Sequence, residues 1–155
     1  MKRLGAVVAL AVLMTAGPDL SSAQGKTVAN IAAIMLTIKV DNKPSQFILL
    51  ASDGTINRMD GDGHLVIDNT QVKYLDTLKL SVDPSWLTDS RSYEARLKKG
   101  KIMERSIFFS FKDGSESGIT YKYGSESQQP PKSIMDFFEK ALNITDPWYS
   151  KWKSK

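Results

Sequence analysis

The stretch Met103-Glu-Arg-Ser-Ile-Phe-Phe-Ser-Phe111, closed by Lys112-Asp-Gly114 and answered by Ser115 to Tyr123, decides the fold class. Ile107, Phe109 and Phe111 fall on one side of a period-two pattern, which is the mark of a strand. Phe108 falls on the other side, so this strand is expected to be covered on both faces. Asp-Gly tolerates the positive φ angles of a tight hairpin turn. Beyond the turn, Ile119, Tyr121 and Tyr123 alternate with Thr120 and Lys122, the pattern of a strand with one wet face.

Toward the carboxy terminus, Pro130-Pro131 stops the sheet. Ser133 is placed to cap a helix, and Asp136 favours that helix's positive end. Ile134, Phe137, Phe138, Ala141 and Leu142 keep the spacing of one apolar helical face, predicting a helix over 133–143 that covers the sheet. Asp146-Pro-Trp148 reads as the start of a last short element carrying Tyr149 and Trp152.

Toward the amino terminus, strands are expected over 33–40, 45–51, 55–59 and 64–67, with turns at Asp41–Pro44, Asp53-Gly54 and Asp60–Gly63. A helix over Val28–Met35 competes for the front of the first. Val72 to Val82 reads as one or two further strands. Asp83-Pro-Ser-Trp86 fits a short helix with an aspartate cap and proline in its first turn. A helical patch is read over Ser92–Lys99, ended by Gly100. The fold class is therefore α+β: an antiparallel sheet of about five to seven strands covered by a C-terminal helix. Each half repeats an Asp-Gly turn and a later Asp-Pro followed by tryptophan, which reads as repeated turn chemistry in preference to duplication.

Residues 1–23 have the order of a cleaved secretory leader. Lys2-Arg3 is followed by the apolar run Leu4–Met14, a break at Gly17-Pro-Asp19, and Ser21-Ser-Ala23. The run is shorter than the roughly 20 residues of a bilayer-crossing helix. Cleavage is expected after Ala23. That leaves residues 24–155 as one domain, secreted or periplasmic, with no transmembrane segment in the mature chain.

The chain has 155 residues, no cysteine and a net charge of +4. Without cysteine there is no lipid anchor, disulfide, thiolate metal site or thiol nucleophile. The charge is too modest to argue for nucleic acid. One basic cluster, Arg91, Arg96, Lys98, Lys99, Lys101 and Arg105, reads as a solvated surface, with an anionic contact as the functional alternative. Lys151, Lys153 and Lys155 read as a soluble tail.

Asp53–Asp60 resembles the second half of a calcium loop of the EF-hand or dockerin kind. The register puts Leu49 and Ala51 where ligands are required, so a plain hairpin is the better reading. Asp60-Gly-Asp-Gly-His64 offers two carboxylates and the only histidine, but a polar turn explains it as well. Any hydrolytic triad would rest on His64 alone, and Gly114-Ser-Glu-Ser-Gly118 has glutamate where a nucleophile elbow needs serine. A pair among Glu94, Glu104, Glu116, Glu126 and Glu139 is the other hydrolytic possibility. No phosphate or dinucleotide loop is present, and no cofactor or metal is implied. Asn143-Ile-Thr145 fits a glycan acceptor pattern.

Tyr121, Tyr123, Trp148, Tyr149 and Trp152 concentrate flat apolar area with polar handles in the last third of the chain. They are the candidate binding surface. The expected role is non-catalytic recognition of a protein partner or glycan, with self-association possible. A small hydrolase and a structural component of an envelope assembly are the alternatives.

Overall fold

The computed structural model describes residues 25–155. The leader and its expected cleavage point lie outside the described residues. Seven strands form one sheet: β1 (Ile31–Val40), β2 (Lys43–Ala51), β3 (Thr55–Met59), β4 (Leu65–Asn69), β5 (Arg91–Glu94), β6 (Ile102–Phe111) and β7 (Glu116–Gly124). Their order is β4-β3-β2-β1-β6-β7-β5. All neighbours are antiparallel except β5 and β7, which run parallel. With helices α1 (Tyr74–Lys79) and α2 (Lys132–Lys153), the fold is α+β, the second helix packing on the sheet.

The β6–β7 hairpin has the expected turn. Gly114 takes φ +83°, and Asp113 accepts hydrogen bonds from the Ser115 backbone and hydroxyl. Asp53-Gly54 repeats this device between β2 and β3, where the Thr55 N–H donates to Asp53 at 2.9 Å and Gly54 has φ +93°. The calcium reading of that loop therefore gives way to the hairpin.

Four local readings change. Val72–Val82 contains α1, because Leu75 and Leu78 are buried at helical spacing. Ser92–Lys99 is not helical: Arg91–Glu94 pairs with Ile119–Lys122 as an edge strand, a tertiary pairing that overrides local preference. The α2 N-cap is Pro131, with Ser133 already inside the first turn and no side-chain cap bond. The helix also continues through Pro147 to Lys153. Asp83-Pro84 does open a short 3-10 turn over Pro84–Leu87, with Asp83 accepting from the Ser85 N–H at 2.9 Å. The two Asp-Pro pairs thus sit in different structures.

One face of the sheet carries the core. Ile34, Leu36, Ile48, Leu50, Ile56, Ile107 and Phe109 are almost fully buried under Phe137, Ile134, Leu78 and Leu87. Each such side chain contributes roughly 1.5–3 kcal/mol by leaving water. α2 crosses this face obliquely. Near its start, Phe137 meets Trp86 edge-on and Phe138 lies under the Arg105 guanidinium. Near its end, Trp148 and Tyr149 reach Asp68 and the His64 carbonyl beside β4. Among the described residues the opposite face bears no helix, and Phe108 lies there 39% exposed, contrary to the expected double cover.

Candidate binding cleft

The five aromatic residues do not form one surface. Trp148 and Tyr149 are buried at the β3–β4 side. The Trp148 indole donates to Asp68 at 3.0 Å, and the Tyr149 hydroxyl donates to the His64 carbonyl at 2.9 Å. Trp152 is 37% exposed, with Lys155 over its ring. Tyr121 and Tyr123 lie four strands away on β7. Tyr123 is buried, its hydroxyl accepting from Arg105 Nε at 2.7 Å.

Tyr121 has a partner that sequence reasoning missed. Tyr93, opposite it on β5, stacks on its ring with centroids 4.9 Å apart and planes 13° apart. Tyr93 is itself 43% exposed. Because α2 begins only after Pro130-Pro131, it does not extend over this end of the covered face. A cleft of about 440 Å³ opens there, lined by Tyr93, Tyr121, Tyr123, Gln129, Pro130 and Pro131, among others. Its volume lies within the range of ligand sites. Partial burial raises the Tyr121 phenol pKa above its ordinary value, and Tyr93 adds to this. The loop wall is tied in place: Gln129 Nε2 donates to the Ser125 and Ser127 carbonyls at 3.3 and 3.0 Å.

The local signal for Tyr93 was weak. Its strand has four residues, all exposed, and its pairing is parallel to a strand far along the chain.

The turn around His64 has a different character. His64 is exposed, and its backbone N–H donates to Asp62. Arg58 bonds Asp60 at 3.2 Å, and Lys153 bonds Asp62 at 2.7 Å. That hydrogen bond to Lys153 is the main reason the Asp62 carboxyl lies below its ordinary pKa. Both carboxylates therefore already have cationic partners. Among the described residues, no group of three or more His, Asp or Glu side chains could hold a metal ion. The Lys153 contact ties the last turn of the helix to this turn, while Lys151 and Lys155 are exposed.

The basic cluster disperses. Arg105 is half-buried against Tyr123 and Phe138, and Lys98 pairs with Glu94. Arg91 bonds the Ser85 carbonyl and the Thr88 hydroxyl. Arg96, Lys99 and Lys101 are exposed. In the glycan acceptor pattern, Thr145 is fully buried and donates to the Ala141 carbonyl. No helix among the described residues is long and apolar enough to cross a membrane.

Compared with protein-family models, curated proteins and solved structures, the chain matches none of them.

Proposed function

We propose that the protein is an exported, non-catalytic recognition module that holds an extended segment of a protein partner in the cleft beside β5. The observation that carries this reading is the stacked, half-exposed Tyr93–Tyr121 pair at the cleft. Tyrosines give large contact area at a low entropic cost, and their hydroxyls give direction. A pre-stacked pair loses little freedom on binding.

Position favours a peptide chain. β5 ends the sheet, so its outward backbone groups have no neighbouring strand among the described residues. An extended segment can pair with such an edge while its side chains enter an adjacent pocket. The proline-walled aromatic cleft suits apolar or proline-bearing positions of that segment. Exposed Arg96 and Lys99 follow β5 and would favour acidic flanks. Export rests on the leader pattern of residues 1–23.

The hydrolase alternative loses its footing at His64, an exposed side chain on a turn whose carboxylates are engaged elsewhere. A random-peptide display selection against the purified protein, run beside a glycan array, tests the proposal. Enriched peptides should lose at least tenfold in affinity for Tyr121→Ala and keep it for Trp152→Ala. Glycan binding without peptide enrichment, or peptides indifferent to Tyr121→Ala, would overturn it.

A further inference from the structure

We infer that the helix-free face of the sheet docks a second copy of this chain, face to face about a two-fold axis. Its apolar part is separate from the cleft, the two surfaces sharing Glu94 and Lys122 at their margins. A solvated sheet face ordinarily alternates to polar residues. Here Met35, Phe47, Leu49, Met59, Leu65, Ile67 and Phe108 all share the face opposite the core, across five adjacent strands. Leu65, Ile67 and Phe108 are 48%, 66% and 39% exposed. A contiguous apolar patch of this kind marks an interaction surface.

The register orders the patch. One row across the sheet reads Ile67, Asn57, Leu49, Met35, Phe108, Gly118. The Phe108 ring lies close over Gly118, where an added Cβ would come 2.7 Å from Phe108 Cδ1. This keeps the row low and flat. Asn57 breaks the apolar run, and its Oδ1 is buried without a hydrogen-bond partner among the described residues.

A two-fold axis lying along this row brings each of its residues against its own copy. The same axis sets the row containing Phe47 against the partner's row containing Ala51, large against small. The charged row Lys39, Glu104, Lys122, Glu94 then lies at the rim.

The area is sufficient. Seven strands about 4.8 Å apart, four to ten residues long at about 3.3 Å each, offer on the order of 800 Å². Stable dimers bury roughly 800 Å² per partner. Aligned sheet packing is an ordinary way to join two such faces, and two-fold dimers are the commonest assemblies. The face carries two lysines and three glutamates, including Glu116, so self-contact meets little net repulsion.

Sedimentation velocity from micromolar to millimolar concentration tests this with a charge exchange. The wild-type protein should dimerise. Ile67→Lys and Ile67→Glu, exposed enough to leave the fold intact by circular dichroism, should each weaken dimerisation at least tenfold. Mixing the two should restore it, because residue 67 meets itself. Leu80→Lys, 85% exposed outside this face, should dimerise like wild type. A wild type that stays monomeric throughout, an Ile67→Lys protein that dimerises normally, or a mixture that fails to recover would overturn the inference.

Discussion

Arg58 Nη1 stands 2.6 Å from the Asp146 carboxylate and joins β3 to α2 one residue before the helix's internal proline. The arginine side chain is 5% exposed. Nη1 also donates to the Leu142 carbonyl at 3.1 Å and the Thr145 hydroxyl at 2.8 Å, and the guanidinium lies 4.5 Å from the Tyr149 ring centroid. Pro147 has no amide to offer the Asn143 carbonyl. Arg58 binds the turn just before that gap and keeps Trp148 and Tyr149 on the sheet.

Arg58→Met should therefore lower the unfolding free energy by about 2–4 kcal/mol, since it removes several charge-assisted bonds from a buried site. Urea unfolding followed by helical ellipticity measures this. Arg58→Lys should recover only part of the loss, because an ammonium cannot reproduce the planar fork. A full lysine rescue would contradict the assignment.

Pro147→Ala supplies the missing amide and should stabilise the protein by up to about 3 kcal/mol. The gain should be larger in the Arg58→Met background, since both changes act on one turn. A double-mutant cycle by urea unfolding reads the coupling. Strict additivity would separate Arg58 from the proline turn.

The end of α2 should loosen in acid. Hydrogen bonding from Trp148 lowers the Asp68 carboxyl below its ordinary 3.8, and bonding from Lys153 does the same for Asp62. A depressed carboxyl stabilises the fold above its unfolded pKa. That contribution fades as pH falls below about 3.8 and through the still lower folded values. Trp148 side-chain NMR signals should shift in this window before global unfolding, and Asp68→Asn should abolish the early step.

Tyr121 should ionise above the ordinary tyrosine value of 10.0, owing first to burial and then to Tyr93. This favours the folded state below pH 10, and the advantage is lost as pH rises through the raised value. Titration by ultraviolet absorbance, with Tyr121→Phe to assign the transition, should show it late. Tyr93→Ala should move it earlier by exposing the ring.

Local periodicity carried much of the fold. The alternation around Ile107–Phe111, the Asp-Gly turns and the Ile134–Leu142 stripe predicted the central hairpins and the covering helix, because each reflects one-sided burial close in sequence. Val72–Val82 misled because its short helix has only Leu75 and Leu78 fully committed to the core. The continuation past Pro147 depends on Arg58, 89 positions earlier in the chain, which no local pattern encodes. The site was half legible. Tyr121 was among the five aromatics, but Trp148, Tyr149 and Tyr123 are held in the packed interior. Tyr93 became visible only once β5 was paired beside β7.

Display-selected peptides, chosen with no reference to any surface, should be titrated into ¹⁵N-labelled protein and the backbone amide shifts mapped. Perturbations should concentrate on β5, β7 and residues 124–129. Perturbations centred on Trp152 or on the helix-free sheet face, with Tyr93 and Tyr121 unmoved, would contradict it.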